Sequence, residues 1–535
     1  MTAKNHLKQA LHPFIYLIIP GILLVLTGCE DEECPMPDEE LPTITIEDAE
    51  LTIAENPFNG LALLTMTASI TNEEPLEFSI TSQSIAGAML IHSTTGEITV
   101  LDSAKFDYEI NPELTASITA SSGDVSASAD VKVVLTDIDE TVDPPIDNIW
   151  KQIGQDIEGE AASDQFGWST SLSADGTVLA VGARNNDGNG SNSGHVRVFR
   201  NNGGVWSQIG SDLDGEAAGD LAGWAISLSD DGSILAVGAR LNGGSGIFAG
   251  HVRVYENVAD NWVQLGEDID ADADNDQVGQ SVSISGDGTR VAVGGHFHKE
   301  VGTKRGQVRV FENVSGTWSQ VGEDIDGEAN FDESGWSVSI NQDGSVVAVG
   351  AIRNDGNGQD SGHVRVFSDE SGVWNQIGED IDGEMEKNQF GYSVSLSADG
   401  STIAIGAPLN TVSTDHEGHV RVFRNQANEW VQIGSDIDGE TAGDQSGYSL
   451  SLSADGSSVA IGSYFHANRT GQVRVFKNES DSWNQVGLDI AGKMEGDALG
   501  TSVSLSADGK ILACGASIDG GGSGYVQVYE LDEDI

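Results

Sequence analysis

The chain has 535 residues, of which 85 are Asp or Glu and 25 are Lys or Arg, for a formal net charge of −60. Such acidity argues against nucleic acid or an anionic membrane face as partner and leaves cations, basic proteins and neutral glycans. Three cysteines supply no disulfide framework, so stability has to come from packing, and the length suffices for two domains.

Lys4 and Lys8 precede an almost wholly apolar run from Phe14 to Leu26, followed by Leu26-Thr27-Gly28-Cys29. This is the order of an export signal, too short in its apolar part for a comfortable membrane span, and its ending resembles a bacterial lipobox. The resemblance implies removal of residues 1–28 and lipidation of Cys29, so that the membrane is touched through the lipid anchor only. Residues 29–41 begin Cys29-Glu30-Asp31-Glu32-Glu33 and carry prolines, a composition that makes a solvated tether. The acidic run also resembles the surface-export signal of some Gram-negative lipoproteins, which implies an outer-membrane protein facing outward; a plain spacer would read the same.

Residues 42–142 hold short runs of β character, such as Thr43-Ile44-Thr45-Ile46, Glu97-Ile98-Thr99-Val100 and Val131-Lys132-Val133-Val134-Leu135, with turn chemistry at Thr95-Gly96 and Ser122-Gly123-Asp124. They predict a β-sandwich. Ala54-Glu55-Asn56-Pro57, Phe106-Asp107-Tyr108-Glu109 and Thr136-Asp137-Ile138-Asp139 resemble the motifs of a cadherin-like module. That resemblance implies calcium as cofactor, with Glu55, Asp107, Glu109, Asp137 and Asp139 as ligands, since calcium takes six to eight oxygens. The mid-module acid pair of that family is replaced by Ser69-Ile70-Thr71-Asn72, so a spacer sandwich with surface acids reads equally well.

Residues 143–148 form a short proline-bearing linker. From residue 149 to 535 one cassette recurs, marked by Trp150, Trp206, Trp262, Trp318, Trp374, Trp430 and Trp483, at a spacing of 56 residues five times and 53 once. A period in this range marks a repeat architecture. Each cassette has four runs of strand character bounded by Gly, Asp or Ser, so the fold class is all-β, a seven-bladed β-propeller of four-stranded antiparallel blades preceded by the sandwich. Because the chain opens on the Trp strand and its last cassette lacks one, Trp150 should complete the final blade as a clasp. Phe166-Gly167, Phe390-Gly391, Gly406-Ala407-Pro408 and the recurrent Gly-Ala resemble FG-GAP repeats, the units of integrin-α-type propellers. The calcium loop of that family is replaced by a Ser-Ala-Asp-Gly turn, as at Ser173–Gly176, and one carboxylate in a tight turn cannot wrap calcium.

Two recurrent sets carry candidate chemistry. The links between blades are acidic, as at Asp212-Leu213-Asp214-Gly215-Glu216, and richest at Asp268, Asp270, Asp272, Asp274 and Asp276; they could hold divalent cations, calcium first, or be a turn repeated for blade geometry. Directly after the Phe-Gly position stand Trp168, Trp224, Trp336, Tyr392 and Tyr448, with Gln280 and Thr501 in the other two cassettes. These rings should lie near one channel mouth and would either bind a ligand or pack between blades. The repeated His195, His251, His363 and His419 and the repeated arginines read as scaffold. His296, His298, Asp415, His416 and His466 read as residues of variable loops, where His296 and His298 could share a metal.

With no nucleophile elbow, phosphate loop or zinc signature in the sequence, the expected function is non-catalytic. The propeller would bind an extracellular protein or glycan in adhesion or surface capture. A polysaccharide-processing enzyme, or its glycan-binding accessory subunit, is the alternative.

Overall fold

The computed structural model describes residues 42–55, 57, 60–72, 74–108, 110–136, 149–299, 304–410, 416–517 and 522–532. Cys29, the tether, Glu109, Asp137, Asp139 and Asp415 lie outside the described residues. The chain divides into two compact units, Met1–Val142 and Asp143–Ile535.

In the first unit, strands Ala49–Ala54, Val125–Thr136, Glu113–Ser122 and Glu77–Gln83 form one sheet in that order. Ala62–Thr65, Glu97–Val100 and Met89–Ile91 form a second. Along Glu113–Ser122 the side chains of Leu114, Ala116, Ile118 and Ala120 are buried while alternate neighbours are not, the period of two that a half-buried strand imposes. These residues, with Phe78, Val131 and Val133, pack on Met89, Ile98 and Val100 of the other sheet in one core. The unit is therefore a sandwich.

The second unit holds seven sheets. Blade 1 consists of Phe166–Leu172, Val178–Ala183, His195–Asn201 and Trp206–Gln208, each antiparallel to the next. Blades 2 to 7 repeat it with inner strands Ala222–Leu228, Ser281–Ile284, Ser334–Ile340, Ser393–Leu396, Ser449–Leu452 and Leu499–Leu505. Blade 7 takes its outer strand from the start of the repeats: Trp150–Gln152 pairs antiparallel with Tyr525–Leu531. The clasp thus stands where the order of strands predicts it.

Each blade also has a fifth strand of two residues that the sequence reading missed. Leu213–Asp214, inside the acidic link, pairs with His195–Val196 of the third strand. Its apolar residue is buried. The link is consequently built into the scaffold rather than being a free loop.

What holds neighbouring blades together explains the recurrent residues. Backbone N–H groups of Leu172, Leu228, Ile284, Ile340, Leu396, Leu452 and Leu505 each donate to a serine hydroxyl of the preceding blade, as Leu228 does to Ser171. Every repeat tryptophan donates its indole N–H to a carbonyl one blade back, Trp206 to Ile153 and Trp150 to Val486. The repeat arginines bond the carbonyls of the links, Arg197 to Glu158 and Arg253 to Asp214. Around the axis, the backbone N–H of Ala174 donates to Asp230, and Asp230, Gly286, Gln342, Ala398 and Ala454 each donate onward to the next blade. Ala507 donates back to Ala174. Seven hydrogen bonds close the circle.

Glycine is required where blades converge. Gly167 of the Phe-Gly pair has φ +85°, and a Cβ there would stand 2.7 Å from the carbonyl oxygen of Tyr525 in the adjoining blade. A Cβ on Gly182 would meet the carbonyl oxygen of Gly223 at 2.3 Å. No side chain fits at that approach.

Candidate functional site

Phe166 pairs with Ala183, so the start of an inner strand and the end of the second strand lie at one end of the channel, while Leu172 and the Ser173–Gly176 turn lie at the other. That far end is lined by a ring of aliphatic residues, among them Leu172, Ile340 and Leu452, together with the polar Asp230, Asn341 and Gln342. The near end is aromatic. Trp168 and Trp224 have ring centroids 5.1 Å apart, Trp336 and Tyr392 5.4 Å, and Tyr392 and Tyr448 5.0 Å. All five are half-buried. The structure therefore brings the predicted rings together in two groups, and the residues after the second strands extend and bridge them.

The sequence reading left Arg184 and Arg240 unnamed and took His296 for a variable-loop residue rather than a member of this mouth. Tyr464 lies 4.1 Å from Tyr448, and His296 meets the ring of Trp336 edge-on at 5.2 Å. Arg184 lies over both Trp168 and Trp224, at 3.2 and 4.4 Å from their centroids, and Arg240 over Trp224 at 3.6 Å. Arg184 Nε donates to Gln165 and Arg240 Nη1 to Gln280, each at 2.6 Å. Burial presses both guanidinium groups down to about 10, and the nearness of Arg240 lowers Arg184 further. Both remain charged at neutral pH. Burial likewise raises the hydroxyls of Tyr392, Tyr448 and Tyr464, and those of Tyr392 and Tyr448 are hydrogen-bonded to one another. A common sequence offset, directly after the Gly-Ala position, places Arg184, Arg240, His296 and Tyr464 in this mouth.

A second arrangement repeats on four blades. Glu160, His195 and Asp212 bring one ligand atom each to within 4.8 Å of the others, and so do Glu216, His251 and Asp268, then Glu328, His363 and Asp380, then Glu384, His419 and Asp436. The histidines are buried and the glutamates exposed. His251 Nδ1 lies 3.3 Å from Asp268 and His419 Nδ1 3.4 Å from Asp436. Hydrogen bonding from His363 holds Asp380 down at about 2. One imidazole and two carboxylates suit a borderline divalent ion better than calcium. An arginine stands 3.7–3.8 Å from the glutamate of each cluster, as Arg197 does from Glu160, and occupies part of its charge.

The five acids of the richest link do not converge. Asp268 faces His251, Asp270 pairs in the short strand, Asp272 binds Arg309 at 3.1 Å, Asp274 accepts the N–H of Ile247, and Asp276 is buried against His298 Nδ1 at 3.0 Å. Four of the five carboxylates have separate partners, so the run does not gather its oxygens round one point as a single calcium loop would. In the first unit, Glu55 accepts the N–H of Tyr108 at 2.7 Å and Asp107 that of Ile110 at 2.9 Å.

His296 and His298 are buried, not exposed loop residues. They also diverge, His296 to Trp336 and His298 to Asp276. His298 and His466 occupy the place of Asn186, Asn242 and Asn354, each of which donates to a buried aspartate at the foot of the preceding link, as Asn186 does to Asp164. His416, the neighbour of Asp415, has left-handed φ +57°.

Residues 158–199 and 324–367 match the FG-GAP repeat. The first stretch covers the opening link and three strands of blade 1, the second the same parts of blade 4. Two FG-GAP repeat matches together with the four-stranded antiparallel sheets support a β-propeller-type fold. No curated protein matches the sequence. Among solved structures, a 6-phosphogluconolactonase candidate from Bacteroides uniformis is similar with TM-score 0.44 and 12% identity, covering 61% of this chain and 86% of that one. The periplasmic gluconolactonase of Pseudomonas aeruginosa is similar with TM-score 0.43 and 18% identity, covering 61% and 85%. Drosophila N-cadherin EC1-3 matches 19% of this chain and 35% of its own, with TM-score 0.18 and 20% identity.

Proposed function

We propose that the protein is a non-catalytic binding protein of the cell envelope, lipid-anchored at Cys29, displayed outward, and acting in adhesion or surface capture. Its ligand is an extracellular protein or glycan held at the aromatic mouth of the propeller. The observation that carries this reading is the cluster of Trp168, Trp224, Trp336, Tyr392, Tyr448 and Tyr464 at a single channel end. Each of these rings is half-buried, so part of its surface is open to a partner. Flat rings with polar tips are the side chains that stack on sugar faces and anchor interfaces at small entropic cost. The sandwich, with its cadherin-like motifs, acts as a spacer module and calcium as its cofactor.

Binding of the purified full chain to glycan and matrix-protein arrays, with calcium and with chelator, tests the proposal. Trp168→Ala combined with Trp224→Ala should weaken the arrayed hit by about 2 kcal/mol or more, the scale of an interface anchor. Silence on every array, together with unchanged surface attachment in a deletion strain, would discard it.

A further inference from the structure

We infer that the mouth is an anion site, and that it takes a sugar carrying a single carboxylate, such as a uronic acid at the end of a glycan. The inference rests on the reading of the mouth as the ligand site and names the ligand's chemistry. Its root is an imbalance of charge. In a chain with 85 acids, Arg197, Arg253, Arg309, Arg365, Arg421 and Arg474 each have a carboxylate within 4.0 Å. Among the described residues neither Arg184 nor Arg240 has one. They are neighbours, both half-buried, and both rest on tryptophan faces. Two adjacent cations taken partly out of water without a counterion are costly, and an arriving anion offsets that cost.

The donors left over fit a carboxylate. Arg184 spends Nε on Gln165 and keeps its paired Nη groups, the end of the guanidinium that meets two oxygens at once. Arg240 spends Nη1 on Gln280, and its Nε is enclosed without an acceptor. Stacking on Trp168 and Trp224 and the two glutamine bonds fix the orientation of both groups, so little freedom is lost on binding.

The rest of the mouth fits the body of a sugar. Tyr392, Tyr448 and Tyr464 carry hydroxyls whose protons are firmly held, and Trp336 with His296 continues the ring surface between them and the arginines. The opposite end of the channel carries Asp230 beside Asn341 and Gln342 and no arginine or lysine, so a carboxylate finds its counter-charge at the aromatic end. The overall charge of −60 repels a long polyanion, but charges beyond about 8 Å are screened at physiological salt. One carboxylate on an otherwise neutral glycan satisfies both conditions.

The test is titration of the full chain with D-glucuronate, D-glucose and acetate, followed by tryptophan fluorescence and calorimetry. Glucuronate should bind at least tenfold more tightly than either of the others, and Arg184→Gln and Arg240→Gln should each lose at least tenfold for glucuronate. Their melting temperatures should be unchanged or higher, because an uncompensated charge is removed; a lower melting temperature with glucuronate affinity kept would make the arginines structural and overturn the inference. Arg184→Lys keeps the charge without the fork and should recover only part of the affinity. Equal binding of glucose and glucuronate, equal binding of acetate and glucuronate, or no glucuronate binding would each overturn it. If a neutral glycan binds on the arrays and Trp168→Ala abolishes that binding while the glutamine variants do not, the aromatic site stands and the anion inference alone falls.

Discussion

Asp276 and His298 form a buried pair where blades 1, 2 and 4 hold Asp with Asn and blade 6 holds Asp444 with His466. Hydrogen bonding to Asp276 raises the pKa of His298 against the opposing effect of burial, with further help from the charges of Asp326 and Asp272. A raised folded-state value means that the pair stabilises the fold fully below the unfolded histidine value of about 6.5 and loses that contribution as pH climbs through the folded value. Melting temperature should therefore fall between pH 6 and pH 8.5 by more in the wild type than in His298→Asn, which places there the neutral partner of blades 1, 2 and 4. Equal slopes in the two proteins would show that the pair does not titrate. At this scale the repeat tryptophans and the aromatic ring were legible, because recurrence every 56 residues picks them out. The partners of His298 and the stacking of Arg184 were not, since His298 and Asp276, or Arg184 and Trp168, meet only once the second strand folds back on the first.

Among the strands, the short outer strand of blade 7 carries the most consequence for its size. Trp150–Gln152 is three residues long, yet Trp150 is 2% exposed, packs with Leu499, Leu512 and Tyr529, and donates to Val486. Trp150→Ala removes a large buried ring and should cost about 3–5 kcal/mol, read as a fall in the midpoint of urea unfolding. Deleting residues 149–155 should lower it further, since the strand also joins first and last blades. An unchanged midpoint after that deletion would refute the clasp. A milder change, Ser171→Ala, leaves the buried N–H of Leu228 without its acceptor and should cost about 1–3 kcal/mol. Four strands per blade could be read from β-branched runs and turn residues. The fifth escaped because two residues such as Leu213–Asp214 are too few to show a period, and the acids around them read as solvation.

For the molecule as a whole, acidity is the dominant variable. Like charges spread over a compact body repel one another, so added monovalent salt should raise the melting temperature by screening. Divalent ions separate two further cases. If the rim clusters of Glu216, His251, Asp268 and their equivalents take an ion, zinc or manganese at micromolar concentration should raise the propeller's transition, and His251→Gln should reduce that rise. Calcium stabilisation confined to a separate transition would instead place its sites in the sandwich. Equal effects of magnesium, calcium and zinc would reduce all of them to screening. The count of blades and their order of strands were legible from the repeat, whereas the sorting of 85 acids into paired, buried and solvated ones depends on side-chain direction, which a sequence dense in acids does not reveal.

The axial circuit of seven backbone hydrogen bonds, from Ala174 through Asp230 and Ala507 back to Ala174, runs in one rotational sense. Each donor serves the next blade, so the circuit has neither a first member nor a last, and its bond dipoles cancel around the ring. Where the polypeptide happens to be cut is then immaterial to the interior: the covalent order of blades can be rotated by one or more cassettes without changing any blade's neighbours. A permutant opened within the link before blade 4 and joined between blades 7 and 1 retains every member of the circuit.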